Sequence, residues 1–226
     1  MAKTYRIGTR TSPLALRQVE EILMALRKFY PDFKAEAIGI DTYGDKDKIT
    51  PISRIEGTDF FTREIDAALR NGAVDFAIHS AKDLPDTIKE GLVITALTKS
   101  LDPRDALVSK DGLKLEELPR GARIGTSSIR RKAQMSRYRD DFDIVDIRGN
   151  IEERLEKVDN GNLDGIVIAA CALVRLGLEN RITQRIPFEI LKPHPLQGAL
   201  AIVTRAEDSK LHSLLSVIDT REGALL

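Results

Sequence analysis

Short apolar runs along the chain alternate with longer segments in which apolar residues recur every three or four positions. The short runs predict β-strands, and the periodic segments predict helices. Strands that alternate with helices are typical of an α/β fold with mainly parallel strands. In the first part of the chain, the predicted strands are residues 6–8, 34–40, 76–79 and 92–97, and the predicted helices are residues 13–29 and 58–71.

The first helix has the clearest boundaries. Ser12 suits the N-cap position, because its hydroxyl can accept a hydrogen bond from a backbone N–H of the first turn. Pro13 follows at the first helical position, and the helix ends before Pro31. The apolar stripe of this helix contains Leu14, Leu16, Ile22, Leu23 and Leu26.

A second series of elements begins after Asp102-Pro103-Arg104. Its predicted strands are residues 106–108, 123–125, 144–147 and 165–169, its predicted helices are 128–138, 151–159 and 171–176, and the tail adds a strand at 198–204 and a helix at 208–218. Two series predict two lobes, with residues 1–99 and 196–226 in the first and residues 100–195 in the second. Because the chain crosses twice between lobes of this kind, we expect a hinge and a cleft.

Composition narrows the class of ligand. The 226 residues include 35 basic and 35 acidic side chains, so the net charge gives no reason to expect nucleic acid or a membrane surface as a partner. Any positive potential must be local, which favours a small ligand.

The single cysteine, Cys171, excludes an internal disulfide, and three histidines are too few for a Cys/His metal cluster, so no metal is expected. With no export segment and no apolar run near ~18 residues, we expect a cytoplasmic protein.

Arginines are concentrated where predicted strands turn into helices. They are Arg10, Arg130, Arg131, Arg148, Arg154 and Arg175. Guanidinium groups match carboxylates and phosphates, and helix N-termini also favour anions. The pattern therefore indicates a site for a ligand with several negative groups. The alternative for any one of these arginines is a solvated surface charge with a local partner, which contributes little energy.

Two further segments offer candidate chemistry. Lys82 and Asp83 follow the predicted strand 76–79, where the lysine can pair with a carboxylate and the aspartate can stabilise a developing cation. A solvated surface turn is the alternative for this pair. Thr126, Ser127 and Ser128 precede a predicted helix, and the same geometry serves a cap or an anion site.

The order of several motifs resembles the porphobilinogen deaminase family, also called hydroxymethylbilane synthase. The motifs are Ile7-Gly-Thr-Arg-Thr-Ser-Pro-Leu-Ala15, His79-Ser-Ala-Lys-Asp-Leu-Pro85, Asp102-Pro-Arg-Asp-Ala106, Gly125-Thr-Ser-Ser-Ile-Arg-Arg131, Arg148-Gly-Asn150, Leu163-Asp-Gly-Ile-Val-Ile-Ala169, Arg175-Leu-Gly-Leu178 and Gln197-Gly-Ala199. They cover nearly the whole chain. The resemblance implies two lobes of periplasmic-binding-protein-like (type II) architecture with a hinged interdomain cleft.

The resemblance also implies an activity and residue roles. Family members condense four porphobilinogens head to tail with loss of ammonia, and each ring carries an acetate and a propionate. By resemblance, Asp83 is the catalytic carboxylate that binds pyrrole N–H groups and stabilises the cation left as ammonia departs. The residues implied to bind a dipyrromethane cofactor are Lys82, Asp83, Thr126, Ser127, Ser128, Arg130, Arg131 and Arg154. Those implied to bind substrate are Arg10, Ser12, Phe61, Arg148, Gly149 and Arg175.

The chain departs from the family pattern in two places. Family members carry a third, C-terminal domain whose cysteine holds the cofactor, and this sequence ends at Leu226 without that cysteine. We therefore expect a noncovalent cofactor, with a tether through Cys171 as the alternative and burial of that thiol as the simpler interpretation. The flap, within residues 41–57 and on to Phe61, has Thr58 and Asp59 where relatives are commonly basic and glycine-rich.

Two functions follow as hypotheses. The first is a deaminase-type transferase of tetrapyrrole (haem) biosynthesis that acts as a monomer on porphobilinogen. The alternative is a deaminase-like protein that binds pyrroles or other polycarboxylates without turnover. A carboxylate at position 83 favours the enzyme, because simple carboxylate binding has no use for an anion in the site.

Overall fold

The computed structural model describes residues 3–47 and 58–221. These residues divide into two compact units, and each has its own sheet. Unit 1 comprises residues 3–47, 58–100 and 198–221, and unit 2 comprises residues 101–197. The chain thus leaves unit 1 after Ser100 and returns after Gln197, against sequence-based boundaries at 99/100 and 195/196.

Unit 1 is a five-stranded mixed sheet with helices packed on it. Its strands are β1 (Thr4–Thr9), β2 (Lys34–Gly39), β3 (Phe76–Ser80), β4 (Leu92–Leu97) and β10 (Leu200–Arg205), and its helices are α1 (Pro13–Arg27), α2 (Tyr43–Lys46), α3 (Arg63–Arg70) and α7 (Ser209–Leu215). The strand order is β2-β1-β3-β10-β4. β1 is parallel to β2 and β3, whereas β10 is antiparallel to β3 and β4.

The core of unit 1 lies on both faces of this sheet. On one face, Ile22 and Leu26 of α1 pack against Phe76, and all three side chains are fully buried. On the other face, Ile65 and Leu69 of α3 form a separate buried cluster with neighbouring strand residues. Helices on both faces explain why the strands read as nearly continuous apolar runs rather than alternating ones.

Unit 2 repeats this arrangement with different parts of the chain. Its strands are β5 (Asp105–Ser109), β6 (Arg123–Gly125), β7 (Asp143–Val145), β8 (Gly165–Ala169) and β9 (Gln184–Arg185), and its helices are α4 (Ile129–Tyr138), α5 (Ile151–Asp159) and α6 (Ala170–Arg175). The strand order is β7-β6-β8-β5-β9. β6 is parallel to β7 and β8, and β5 is antiparallel to β8 and β9.

The two units have equivalent strand registers at their central strands. Gly8 of β1 is level with Ala77 of β3, and Gly125 of β6 is level with Ile166 of β8. Both glycines let a neighbouring element approach closely, because a Cβ at Gly125 would lie 2.7 Å from Leu163 and one at Gly8 would lie 3.0 Å from Val74. The repeated Ile-Gly-Thr sequence therefore marks the same structural position in each unit.

Three predictions about the elements need correction. The sheets are mixed rather than mainly parallel, because β10 and β5 each insert an antiparallel strand that the local pattern cannot distinguish from a parallel one. The helix predicted at 58–71 is shorter, spanning Arg63–Arg70, because residues 59–62 form turns before it. The short elements α2 and β9 were not predicted, since four and two residues carry no readable periodicity.

Candidate functional site

In unit 1, Lys82 and Asp83 lie in a single turn of 3-10 helix, Ala81–Asp83, directly after β3. The turn is fixed to the neighbouring strand, because the Ala81 backbone N–H donates to the carbonyl of Ala199 at 3.0 Å. Ser80, the last residue of β3, receives a hydrogen bond from Nε2 of the buried Gln18 on α1 at 2.8 Å. The sheet and α1 thus hold the start of the segment that presents the two charges.

The Asp83 side chain is half-buried, and its carboxylate has no hydrogen-bond or ion-pair partner among residues 3–47 and 58–221. Other half-buried or buried aspartates of unit 1 contrast with it. Asp75 binds Lys3 and Arg6, and Asp219 binds Arg221 and the backbone of Leu97. A carboxylate removed from bulk water without a partner costs free energy, so it is suited to a ligand that supplies N–H donors or positive charge.

Arg10 lies just after β1, and its guanidinium group is already engaged. Its Nε donates to both carboxylate oxygens of Asp45 on α2, at 3.0 and 3.1 Å, and its Nη2 also contacts this carboxylate. The guanidinium carbon lies 4.5 Å from the centre of the Phe61 ring. The structure therefore brings two predicted substrate-binding residues, Arg10 and Phe61, into direct contact, and it pairs Arg10 with a carboxylate that the sequence analysis did not identify.

Two other unit 1 residues near this point have clear structural roles. Ser12 caps α1 as predicted, since its Oγ accepts a hydrogen bond from the Ala15 N–H at 3.3 Å. His79 is buried, and its Nε2 has no hydrogen-bond partner within residues 3–47 and 58–221. Burial first and Arg10 second lower its pKa to about 4. His79 is therefore neutral at physiological pH.

In unit 2, three hydroxyl residues lead from β6 into α4. Ser127 is buried and donates to the Ile147 carbonyl at 2.7 Å, so its hydroxyl serves the fold. Thr126 is fully buried, and its hydroxyl has no hydrogen-bond partner in the part of the chain that the structure describes. Ser128 is the N-cap residue of α4, but its side chain does not cap the helix. The hydroxyls of Thr126 and Ser128 therefore lie at the N-terminus of α4 without capping it.

The adjacent arginines of α4, Arg130 and Arg131, share the fully buried carboxylate of Asp105 at the start of β5. Arg131 donates from Nε and Nη2 to Oδ1, at 3.0 and 2.7 Å. It also binds the carbonyl of Val167 and the amide oxygen of Gln197, both at 3.2 Å. These contacts use four of its five N–H donors, and the side chain is only 8% exposed. Arg131 therefore faces the protein interior.

Arg130 is the more accessible member of this pair. Its Nη2 donates to Oδ2 of Asp105 at 2.9 Å, its Nη1 contacts the carbonyl of Lys192, and its side chain is 24% exposed. Burial raises the pKa of Asp105, but the guanidinium groups of Arg131 and Arg130 outweigh this effect and lower it. Gln197 completes the set by donating to Oδ1 at 2.8 Å.

The remaining predicted arginines of unit 2 lie at other helix ends. Arg148 and Gly149 precede α5 and line an open pocket of about 440 Å³ whose wall also contains Glu153 and Lys157. Gly149 has a positive φ of 109°, which a residue with a side chain rarely adopts. Arg154 donates from Nε to the Gly149 carbonyl at 2.9 Å. Arg175 is half-buried at the last position of α6.

Cys171, the second residue of α6, is 5% exposed. Cys171 is the second residue after β8, just as Lys82 is the second residue after β3, and these two strands occupy the same position in their sheets. This burial gives the tether hypothesis no support.

Sequence reasoning missed three residues that organise these sites. The predicted arginines are held by Asp45, Asp105 and Gln197. Asp105 and Gln197 lie within family motifs, but no role was predicted for either of them or for Asp45. An aspartate at the first position of an otherwise apolar strand was the available signal for Asp105, because a carboxylate there is buried and needs a cation. Asp45 had no such signal, since it lies in a segment predicted to be irregular.

The described ranges contain no cluster of three or more His, Cys, Asp or Glu residues suited to a metal ion. Within the same ranges, no helix combines the length and apolar character that crossing a membrane requires.

Solved structures show the fold of this chain. A protein described as a methionine-binding lipoprotein from Bacillus subtilis is 12% identical, with a TM-score of 0.56 over 98% of this chain and 92% of its own. An extracellular-binding protein assigned to amino-acid ABC transport, also from Bacillus subtilis, has a TM-score of 0.51 at 14% identity, over 96% and 90%. These similarities confirm the predicted two-lobed α/β fold of the periplasmic-binding-protein type.

Sequence comparisons show the family. Residues 5–213 match the family model described as porphobilinogen deaminase, dipyromethane cofactor binding domain. A porphobilinogen deaminase of Xanthomonas axonopodis pv. citri (strain 306) is 44% identical over 96% of this chain and 71% of its own length. One from Pelotomaculum thermopropionicum is 43% identical over 100% of this chain and 72% of its own. The chain therefore belongs to the porphobilinogen deaminase family, as its motifs predicted.

Proposed function

We propose that this protein condenses porphobilinogen units into a linear tetrapyrrole, hydroxymethylbilane, with loss of one ammonia at each step. The observation that carries the proposal is the Asp83 carboxylate, half-buried after β3 and without a partner among the described residues. Family membership supports the same activity. The proposal includes a monomer that acts in the cytoplasm on a small substrate, with neither nucleic acid nor membrane as partner.

The chemistry at Asp83 is electrostatic. When the C–N bond of porphobilinogen breaks, its electron pair leaves with the amine, which takes up a proton and departs as ammonia, and positive charge spreads over the pyrrole ring and its methylene carbon. A fixed carboxylate stabilises this charge, because it is already in place as the charge develops. The same carboxylate accepts hydrogen bonds from pyrrole N–H groups.

The residues of unit 2 fit one carboxylate of a dipyrromethane cofactor. The orphaned Thr126 hydroxyl, the uncapped N-terminus of α4 at Ser128 and the partly exposed Arg130 form a donor set suited to an anion. When bound, this cofactor supplies the pyrrole ring onto which substrate is added. We propose that Thr126, Ser128 and Arg130 hold it directly, and that Lys82 and Arg154 contact further carboxylates.

Arg131 and Ser127 have a different role in this proposal. Both side chains are buried and donate to protein oxygens, so they position the donors around them rather than bind the cofactor. We propose Arg148, Gly149 and Arg175 as substrate contacts. We also propose that the cofactor-binding side chains bind the cofactor's carboxylates noncovalently, and the buried Cys171 thiol gives no support to a tether at that residue.

The decisive experiment compares Asp83→Asn with Asp86→Asn, which removes the same charge from an exposed position in the same loop. With porphobilinogen supplied, we expect Asp83→Asn to slow ammonia release at least ~10²-fold, while Asp86→Asn stays close to the unsubstituted protein. Equal rates for the two variants would overturn the role of Asp83. Porphobilinogen binding by the unsubstituted protein without any ammonia release would instead support a binding protein without turnover.

A further inference from the structure

The contact between Arg10 and Asp45 has the geometry of a ligand contact. The Nε and Nη2 side of the guanidinium group faces both oxygens of the Asp45 carboxylate, with Nε distances of 3.0 and 3.1 Å. Arginine binds the carboxylate of a small molecule in this same two-pronged way. The guanidinium carbon lies over the Phe61 ring, 4.5 Å from its centre. Arg10 is therefore engaged both by a carboxylate and by an aromatic ring.

Asp45 is held in this position by its own short helix. Its Oδ2 accepts hydrogen bonds from the Thr42 hydroxyl at 2.7 Å and from the Thr42 N–H at 3.2 Å. The Thr42 hydroxyl accepts the Asp45 N–H in return, which completes a capping box around α2. The carboxylate is thus oriented by backbone and side-chain groups on one side, and Arg10 binds its other side.

Aromatic side chains attach α2 to the residues that precede α3. The rings of Tyr43 and Phe60 contact each other edge to face at 5.0 Å, and the Gly44 N–H donates to the Phe60 carbonyl at 3.1 Å. The pair remains partly accessible, since the Arg10 and Asp45 side chains are 27% and 20% exposed. Solvent access at this level allows one carboxylate to be exchanged for another.

We propose that Asp45 occupies the carboxylate subsite of Arg10 and competes with the substrate for it, so that Asp45 sets the affinity for the substrate carboxylate. This inference rests on the proposed function, in which Arg10 binds a carboxylate of porphobilinogen. The Asp45 carboxylate stands in for the acetate or propionate group, which has the same charge and the same pair of acceptor oxygens.

The competition has a quantitative consequence. Substrate binds only the fraction of molecules in which Arg10 is released, so the apparent dissociation constant rises in inverse proportion to that fraction. For a partly exposed ion pair of ordinary strength, the apparent dissociation constant is raised about five-fold. Removal of the Asp45 charge therefore tightens substrate binding, whereas loss of a merely structural contact would weaken it or leave it unchanged.

The test measures porphobilinogen binding by calorimetry in an Asp83→Asn background, in which turnover is slowed at least ~10²-fold and disturbs the equilibrium less. Asp45→Asn retains the size of the side chain and an acceptor for Thr42, and we expect it to bind porphobilinogen about five-fold more tightly. Asp41→Asn is the matched control, because Asp41 is an exposed acid two residues before Tyr43 that accepts a hydrogen bond from Thr11 instead of Arg10. We expect its affinity to be unchanged.

A second pair of variants separates the inference from its premise. Arg10→Gln should weaken binding, and Asp45→Asn added to Arg10→Gln should give no gain, since the gain requires the released guanidinium group. If Arg10→Gln leaves the affinity unchanged, the proposed role of Arg10 is wrong and the inference falls with it. If Arg10→Gln weakens binding but Asp45→Asn does not tighten it, or if Asp41→Asn tightens it equally, only the competition is wrong.

Discussion

At the scale of single residues, buried carboxylates decide what each arginine can do. Arg130 and Arg131 are adjacent in sequence and chemically identical, yet Asp105 and Gln197 hold Arg131 inside the protein while Arg130 stays partly exposed. The sequence motifs drew attention to both arginines and to Asp83. They could not separate the roles of the two arginines, because burial depends on which side of α4 meets β5.

This difference predicts unequal losses of stability for two neighbouring substitutions. Arg131→Ala leaves a buried Asp105 with one guanidinium partner fewer and should destabilise the fold by ~3–5 kcal/mol, measured by urea denaturation. Arg130→Ala should cost only ~1 kcal/mol, because Arg131 still neutralises Asp105.

Arg137→Ala, at an exposed position on the same helix, is the control and should change stability by less than ~0.5 kcal/mol. Equal destabilisation by Arg130→Ala and Arg131→Ala would contradict the assignment of Arg131 to the interior.

At the scale of elements, α2 is the one helix of unit 1 whose position depends on aromatic packing rather than on an apolar stripe. Of its four residues, Gly44 is the buried one, and it lies against the rings of Phe60 and Phe61. The sequence predicted irregular structure here and proposed that Phe61 approaches the reacting rings. The position of α2 depends on Phe60 and Phe61, which lie some 16 positions later in the chain. A local sequence pattern cannot predict a contact over that separation.

Gly44 provides a test of this packing. A Cβ at Gly44 would overlap both phenylalanine rings, so Gly44→Ala should force them apart and lower the free energy of unfolding by ~1–3 kcal/mol. The measurement is urea denaturation, with Lys46→Ala on the exposed side of the same helix as the control. An unchanged midpoint for Gly44→Ala would show that α2 is not held by the rings.

At the scale of the whole molecule, stability depends on pH through groups that folding removes from water. Burial and Arg10 lower the pKa of His79 from 6.5 to about 4, so in this range the unfolded chain binds a proton that the folded chain does not. The contribution of His79 to stability therefore falls as pH decreases from 6.5 towards 4 and is constant above that range. Aspartates with lowered pKa values, such as Asp105, add a further loss only below the usual aspartate range.

His79→Gln should flatten this part of the stability profile. The pKa difference corresponds to a limit of ~3 kcal/mol between pH 7 and pH 4, and the variant should lose most of that slope in urea titrations at several pH values. His212→Gln, at the partly exposed histidine of α7, should keep the profile of the unsubstituted protein. If the slope of stability against pH persists in His79→Gln, it arises from other titratable groups.

The sequence by itself determined the alternation of strands and helices, the two series of elements and the family, because periodicity and ordered motifs are local properties of the chain. It also placed Asp83 directly after a buried strand, which is why Asp83 is predicted to be a site residue. Only the tertiary structure decided the antiparallel strands β5 and β10, the burial of Arg131 on Asp105 and the pairing of Arg10 with Asp45. Each of these depends on residues distant in sequence, and the free energy of burying a charge is settled only when its partner is in place.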